Sequence, residues 1–134
     1  MIHVAVGIVK NALGEVLIAQ RLAHSYGAGL WEFPGGKLEA NEDVFTALQR
    51  EFLEEIGIQV LAAEPLLQVQ HDYGDRRVLL DTWLIKSYAG EPHGAEGQVI
   101  QWVRPGEFSR YSFPEGNRTI VDKLQTLFSA PDFR

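Results

Sequence analysis

The sequence predicts an α/β fold in which helices cover a mixed β-sheet. Three observations support this class. Short segments rich in β-branched residues recur along the chain, two well-separated stretches have helical periodicity, and 46% of the residues are hydrophobic. Because 134 residues is close to the commonest domain size, we expect one domain over residues 1–134.

The predicted strands are short and divided by turn residues. His3 to Val9 and Val16 to Gln20 flank turn chemistry at Asn11 to Gly14, which favours a hairpin or adjacent strands. Trp31 to Phe33 is extended and stops at Pro34-Gly35-Gly36. The remaining predicted strands are Ile58 to Ala62, Leu66 to His71, Val78 to Ser87 and Val99 to Val103.

Two helices are predicted. The first covers Asn41 to Gly57, with Asn41 as N-cap, Glu42 and Asp43 near the positive helix end and Gly57 after the last turn. The second runs from about Glu115 to Phe128. Its apolar residues form one stripe at Ile120, Val121, Leu124, Leu127 and Phe128.

Composition and charge exclude several classes of function. The 12 basic residues against 18 acidic ones give a net charge of −6, which opposes binding to a nucleic-acid polymer. The absence of cysteine excludes disulfides, a thiolate nucleophile and cysteine-ligated zinc. No apolar run approaches the ~20 residues of a membrane span, and the first residues show no export signal. We expect a cytoplasmic monomer that acts on a small ligand.

Three acids of the first predicted helix fall on or beside its apolar face. On a helical wheel Glu55 lies inside the arc that holds Leu48 and Phe52, Glu51 at its edge and Glu54 one step further. Two carboxylates ~5 Å apart at an effective dielectric of ~20 repel by about 3 kcal/mol, so the cluster needs a compensating charge. Mg²⁺, or alternatively Mn²⁺, supplies it through oxygen ligands. The alternatives are a solvated acidic face or salt bridges to Arg50.

The spacing around these acids is specific. Residues 36 to 58 reproduce the pattern G-x5-E-x7-R-E-U-x-E-E-x-G-U, where U is apolar, with every position present. A chance match in this chain is on the order of one in a million. The segment resembles the Nudix box of hydrolases that act on nucleoside diphosphate-linked compounds.

The resemblance implies a mixed β-sheet sandwiched between helices (α/β/α). It also implies a loop-helix-loop that binds a divalent metal on a diphosphate and activates water for attack at phosphorus. It implies metal ligands at Glu51, Glu54, Glu55 and the carbonyl of Gly35, with Glu51 the first candidate for general base. Arg50 and Glu42 are expected to be structural, Arg50 holding the carboxylates by bidentate hydrogen bonds. Glu96, in a loop before a strand, is the rival base or a further metal ligand; the alternative is a solvated loop residue.

Beyond the box, the chain resembles the MutT-type branch of the family, which hydrolyses oxidised guanine nucleoside triphosphates. The similar segments, in order and without insertion, are Val4 to Val9, Trp31 to Lys37, Glu91-Pro92 with Glu96 to Gln98, and Phe113-Pro114 with Asn117. His24 to Leu30 departs from the MutT pattern. This resemblance implies nucleotide-binding roles for Arg21, Phe33, Arg76 and Asn117. From the residues alone, Arg21 and Arg76 could equally be surface charges at strand ends. Phe33 is expected to be part of the core and part of a wall that faces the base.

Asn117 also has a chemical interpretation of its own. 8-Oxoguanine shows one acceptor beside one donor where guanine shows two acceptors, and an Asn amide offers one donor and one acceptor. Adenine also satisfies a flipped amide. From local sequence alone, the more frequent role of such an Asn is a helix-start residue after Pro114.

The leading hypothesis is a Mg²⁺-dependent pyrophosphohydrolase that converts 8-oxo-dGTP to 8-oxo-dGMP and pyrophosphate, and so serves nucleotide-pool sanitation. The first alternative is the same chemistry on an unmodified nucleoside triphosphate or a dinucleoside polyphosphate. The second is a nucleotide-binding module without catalysis, which the presence of Glu51, Glu54 and Glu55 disfavours.

Overall fold

Two β-sheets form the centre of the fold in a computed structural model, which describes residues 1–22 and 27–128. The strands are β1 (Ile2–Ile8), β2 (Val16–Gln20), β3 (Trp31–Glu32), β4 (Gly35–Lys37), β5 (Gln59–Asp72), β6 (Arg77–Ala89) and β7 (Ile100–Val103). The helices are α1 (Val44–Glu55) and α2 (Arg118–Phe128), and short 3₁₀ turns cover Pro105–Arg110 and Glu115–Asn117.

The larger sheet is mixed and has the strand order β4-β1-β6-β5. Strand β1 runs parallel to β6 and antiparallel to β4, whereas β5 and β6 pair antiparallel over almost their full length. The smaller sheet is antiparallel, in the order β3-β2-β7. These two sheets confirm the predicted α/β class with a mixed sheet.

The two helices cover opposite faces of the larger sheet. Alternation along β1 sends Val6 and Ile8 into the core cluster that contains Ile120 and Leu124 of α2. Ala5, the residue before Val6, faces the opposite way and belongs to a second cluster with Leu48 and Phe52 of α1. The predicted arrangement of helices on both faces is therefore confirmed. No helix in the described part of the chain is long and apolar enough to span a membrane.

The expected hairpin between the first two strands is present only at its turn. Asn11 shapes this turn, its side-chain oxygen accepting hydrogen bonds from the N–H groups of Leu13 and Glu15. Beyond the contact of Lys10 with Val16, β1 and β2 separate into different sheets. The reason is that β4 and β6 occupy both edges of β1, which leaves no edge for β2.

Gly35 and Gly36 do not simply end a strand, as the sequence predicts, but begin β4. This strand approaches β1 so closely that a Cβ atom at Gly35 would overlap the carbonyl oxygen of Ala5. Glycine is required there because it has no Cβ. The N–H of Gly7 donates to the Pro34 carbonyl (3.0 Å), which fixes the chain before β4.

The two strands predicted at Ile58 to Ala62 and Leu66 to His71 form one strand, β5. Pro65, which suggests a break, is accommodated because β5 is an edge strand with irregular pairing between Pro65 and Leu67. The other two predicted strands lie within β6 and β7, apart from Val99, which precedes β7. The predicted second helix starts with the 3₁₀ turn Glu115–Asn117 and becomes α-helical at Arg118.

The predicted N-cap at Asn41 is wrong. Asn41 lies in the left-handed region (φ 67°), in the turn that precedes the helix. Asp43 is the N-cap, and its Oδ1 accepts a hydrogen bond from the Thr46 N–H (2.8 Å). The helix ends at Glu55, and Gly57 follows with φ 75°, a conformation that favours glycine. The end of the predicted helix is thus close to the observed one, whereas its start lies three residues later.

Candidate active site

The acids of α1 differ in their exposure. The side chain of Glu51 is 14% exposed and that of Glu54 is 57% exposed. Glu55 is partly buried on the same flank as Glu51. The expectation that all three acids lean toward protein therefore holds for Glu51 and Glu55 and is wrong for Glu54.

Arg50 fixes the position of Glu51. Its guanidinium donates from Nε to Glu42 Oε2 (2.7 Å) and from Nη2 to Glu42 Oε1 (2.9 Å), which is the predicted bidentate contact. Nη1 donates to Glu51 Oε2 (2.6 Å), and Nη2 also donates to the Lys37 carbonyl (3.0 Å). Hydrogen bonds from Arg50 lower the pKa of Glu42 to about 2, so this contact persists into acid solution. Arg50 therefore ties the helix to its preceding turn and to the end of β4.

The glycines of β4 leave room for the Glu51 carboxylate. A Cβ atom at Gly36 would overlap the carboxylate of Glu51, so this acid lies directly against the backbone of β4. Gly35 and Gly36 also line a cavity, although Glu51 itself is not part of that lining. The structure thus brings Glu51 next to the strand that carries the predicted carbonyl ligand, Gly35.

Glu55 lies in an environment that opposes its negative charge. Burial, followed by its hydrogen bond with Glu51 and the charges of Glu51, Glu32 and Glu96, raises the pKa of Glu55 to about 9. The three neighbouring acids are thus close enough to act on Glu55. Without a cation to offset their charge, Glu55 remains protonated at neutral pH. A bound cation would reverse this effect, because it favours the carboxylate form.

Glu32 is an acid of the site that the sequence reasoning did not single out. It lies in β3, accepts a hydrogen bond from Arg21 Nε (2.8 Å) and raises the pKa of Glu55 by its charge. Its only signal in the sequence is its position between Trp31 and Phe33, just before the Pro-Gly-Gly turn. Nothing local to that segment shows that α1 lies nearby.

Glu96 is exposed in a loop that rests on the C-terminal end of α1. The N–H of Ala95 donates to the Glu55 carbonyl (3.0 Å), and the N–H of His93 donates to the Ile56 carbonyl (3.0 Å). Through these contacts Glu96 and Glu55 line one cavity of about 340 Å³, together with Glu32 and Gln98.

A second cavity, of about 490 Å³, contains all four predicted nucleotide-site residues in its lining: Arg21, Phe33, Arg76 and Asn117. Its walls include apolar side chains of β1 and β6, among them Val6 and Leu80. The volume lies in the range of small-molecule sites, which combine apolar walls with a few polar groups. Arg21 and Glu32 line both cavities, so the two adjoin.

The side chains of the larger cavity differ in how firmly they are held. Phe33 is 4% exposed and stacks on Phe113 with 5.3 Å between ring centroids, so it is both core and wall. The guanidinium carbon of Arg76 lies 4.9 Å from the ring centroid of Tyr73. Tyr73, a wall residue that the sequence reasoning missed, brings its hydroxyl close to Gly116, next to Asn117.

Asn117 lies at the end of the 3₁₀ turn that precedes α2. Its backbone N–H donates to the Pro114 carbonyl (2.9 Å). No hydrogen bond from its side-chain amide to a described residue is present, so the amide does not cap α2 there. The amide is therefore available to a ligand in the cavity.

His24 and part of the segment His24 to Leu30 lie outside the described residues. None of the three described histidines lines either cavity.

A divalent metal fits the chemistry of the acid cluster. Within residues 1–22 and 27–128, no three acidic or histidine side chains already converge as a metal site. Glu51 is engaged by Arg50, and Glu55 is held in its protonated form. Three acids in the lining of the smaller cavity, Glu32, Glu55 and Glu96, nevertheless offer carboxylate oxygens, the ligand type that hard divalent ions prefer.

Comparison with known proteins assigns the family. Residues 5–123 match the model of the NUDIX domain. The chain is 35% identical to the 8-oxo-dGTP diphosphatase of Escherichia coli over 94% of this chain and 98% of that protein. It is 34% identical to the CTP pyrophosphohydrolase of the same organism over 97% of this chain and 96% of that protein. A solved structure from a study of MutT from Aliivibrio salmonicida and Vibrio cholerae superposes with a TM-score of 0.84 at 38% identity, covering 95% of this chain and 98% of that one.

These matches define the class of protein. The chain belongs to the NUDIX family, whose members are hydrolases of phosphoric anhydrides and generally need a divalent metal. The resemblance seen in the sequence is thereby confirmed over nearly the whole chain.

Proposed function

We propose that this hydrolase converts 8-oxo-dGTP and water to 8-oxo-dGMP and pyrophosphate with Mg²⁺, as a cytoplasmic monomer formed by one domain over residues 1–134. The observation that carries the proposal is the adjoining pair of cavities. One has apolar walls and the amide of Asn117, and the other has the carboxylates of Glu55 and Glu96. Similarity to the E. coli 8-oxo-dGTP diphosphatase supports the choice of substrate.

The acid cluster supplies the chemistry. Bound Mg²⁺ would offset the negative charge of the phosphates and lower the pKa of a bound water. Its ligands would come from Glu51, Glu54, Glu55, Glu96 and the carbonyl of Gly35. Glu51 accepts the proton of the attacking water, and Glu96 is the alternative base.

The reaction breaks one phosphoric anhydride bond. Water attacks the β-phosphorus, and the bond from that phosphorus to the oxygen bridging the α- and β-phosphates breaks. The oxygen of water remains in pyrophosphate, and the nucleoside monophosphate leaves with the bridging oxygen. Arg50 does not touch the substrate; it keeps Glu51 in place through its 2.6 Å contact. Arg21, which lines both cavities, is positioned to bind a phosphate that extends from one to the other.

The base is recognised in the larger cavity. The unengaged amide of Asn117 matches the donor and acceptor edge of 8-oxoguanine and mismatches guanine, which shows two acceptors there. A single such pair supplies only ~1–3 kcal/mol of discrimination. Phe33 and Arg76 complete the wall around the base.

A second candidate function is hydrolysis of an unmodified nucleoside triphosphate. The observation in its favour is the 34% identity to the E. coli CTP pyrophosphohydrolase over almost the whole chain. The chemistry of the acid cluster is the same in both functions, so the difference lies in the larger cavity.

The test is the ratio of kcat/KM values for 8-oxo-dGTP, dGTP, dATP and CTP with Mg²⁺, followed as pyrophosphate release. We expect a strong preference for 8-oxo-dGTP. Asn117→Ala should reduce the ratio of 8-oxo-dGTP to dGTP by about tenfold or more, because one donor–acceptor pair is lost. The dGTP rate in the same variant is the internal control for folding.

The outcomes separate the two candidates. Preference for CTP, unchanged in Asn117→Ala, would establish the second function. Equal rates on all four nucleotides would refute the role of Asn117 but leave the acid cluster as the hydrolytic site.

A further inference from the structure

The loop that carries Glu96 is closed by a tight turn. The N–H of Gly97 donates to the Gly94 carbonyl (3.0 Å), and a Cβ atom at Gly94 would overlap the carbonyl oxygen of Gln98. Glu96 lies in this turn with an exposed side chain. Its distance from the helix therefore depends on what fixes the backbone of the turn.

The side-chain amide of Gln98 connects this turn to α1. Its Nε2 donates to the backbone carbonyl of Glu55 (2.7 Å), and its Oε1 accepts from the backbone N–H of Glu96 (2.9 Å). Both partners have only one hydrogen-bonding function, since a carbonyl accepts and an N–H donates. The two contacts therefore fix the orientation of the amide without ambiguity.

The two residues joined in this way are acids of the same cavity. Glu55 and Glu96 both line it, and the charge of Glu96 contributes to the environment of Glu55. The carbonyl of Glu55 accepts a second hydrogen bond from the Ala95 N–H (3.0 Å), but the Gln98 amide alone contacts the backbone N–H of Glu96 among the described residues. Removing the amide would free the Glu96 backbone while leaving the rest of the loop attached.

We propose that Gln98 is a positioning residue, which holds the Glu96 carboxylate at a fixed distance from Glu55 for metal binding and hydrolysis. The inference rests on the proposed function of Glu96 in this site. Gln98 acts through the backbone of Glu96, because both hydrogen-bonding functions of its amide are engaged within the protein. Residues that orient metal ligands in this way typically change metal affinity or activity by 10–100-fold when they are replaced.

The test compares Gln98→Met with Gln49→Met in the full chain. Methionine keeps the length of the side chain and removes both hydrogen bonds without adding charge. Gln49 is a matched control, because its amide also donates to a backbone carbonyl, that of Val60 (3.1 Å), but at a place remote from the Glu96 loop. Each variant is assayed for kcat and KM, for Mn²⁺ affinity without substrate, and for hydrogen exchange at the Glu96 amide.

We expect Gln98→Met to lower kcat and Mn²⁺ affinity by about tenfold or more and to leave KM nearly unchanged. Exchange at the Glu96 amide should become faster in Gln98→Met only. Gln49→Met should retain native kcat and Mn²⁺ affinity. In a Glu96→Gln background, Gln98→Met should have almost no further effect on kcat, because the group that it positions is already lost.

Two results would overturn the inference. One is native kcat and Mn²⁺ affinity in Gln98→Met while Glu96→Gln is impaired; the other is an equal loss from Gln98→Met with and without Glu96. Native kcat in Glu96→Gln would instead refute the proposed role of Glu96 itself. If Gln98→Met lowers Tm sharply, Gln98→Asn replaces it with the same expected results, since the shorter amide adds no charge and cannot reach both partners at once.

Discussion

Gly36 provides a sensitive test of the position of Glu51. In Gly36→Ala, the added Cβ would lie 2.6 Å from both carboxylate oxygens of Glu51, whereas ordinary contacts begin near 3.4 Å. The carboxylate carbon is nearer still, so the carboxylate would have to move by about 1 Å to restore ordinary contact. Because the carboxylate is the end of a flexible side chain and Gly36 does not have a left-handed backbone, the fold should accept the methyl group.

We expect Gly36→Ala to reduce the catalytic rate and not the stability of the fold. A displacement of about 1 Å in a group that takes part in the reaction can reduce the rate about a hundredfold. The same movement would disturb the 2.6 Å contact between Glu51 and Arg50. We therefore expect kcat to fall by about a hundredfold while Tm remains close to that of the native chain.

The assay is pyrophosphate release from 8-oxo-dGTP, with Tm measured on the same preparations. Gly106→Ala is the matched control, because no atom beyond its chain neighbours lies within 4 Å of a Cβ at that position. It should retain native kcat. A native rate in Gly36→Ala would show that the observed position of Glu51 is irrelevant to catalysis.

Two further predictions concern Arg50 and Glu55. Arg50→Lys should reduce activity by about 10–100-fold, because one ammonium group cannot contact both oxygens of Glu42 and Glu51 at once; a native rate would contradict the positioning role. The raised pKa of Glu55, about 9, means that metal binding must displace its proton. The apparent Mn²⁺ affinity of the substrate-free protein should therefore rise up to about tenfold per pH unit from pH 6 to 8, and level off above pH 9. Mn²⁺ titrations at several pH values measure this dependence, and Glu55→Gln should weaken it. A Mn²⁺ affinity independent of pH in the native chain would contradict the prediction.

The sequence predicts the acid cluster because its signal is local. The residues of the box are neighbours along one loop and one helix, so helical geometry alone places Glu51 and Glu55 on the inner flank. The same geometry does not show what packs beside each residue. Glu54, one step further round the helix, extends outward and is 57% exposed.

The residues that local patterns miss act across long sequence distances. Glu32 influences Glu55 of α1 from the smaller sheet, and Gln98 contacts the Glu55 carbonyl from 43 positions away. Neither residue has a spacing that identifies its partner. Tertiary contacts, and not local propensity, determine which groups Glu32 and Gln98 meet.

Strand boundaries also depend on contacts that local sequence patterns do not reveal. Pro65 is a reasonable local signal for a break, but the long antiparallel pairing of β5 with β6 continues across it at an irregular position. Gly35 and Gly36 suggest a turn, yet close approach to Ala5 makes them part of a strand. In both cases pairing with a distant strand overrides the local preference.

The most direct test of the account is Glu51→Gln, assayed by Mg²⁺-dependent pyrophosphate release from 8-oxo-dGTP. Glutamine keeps the size of the side chain and cannot accept the proton of water as a carboxylate does. We predict a loss of several orders of magnitude in kcat with the fold intact by circular dichroism. An undiminished kcat would contradict the central claim that the carboxylates of α1 carry out the hydrolysis.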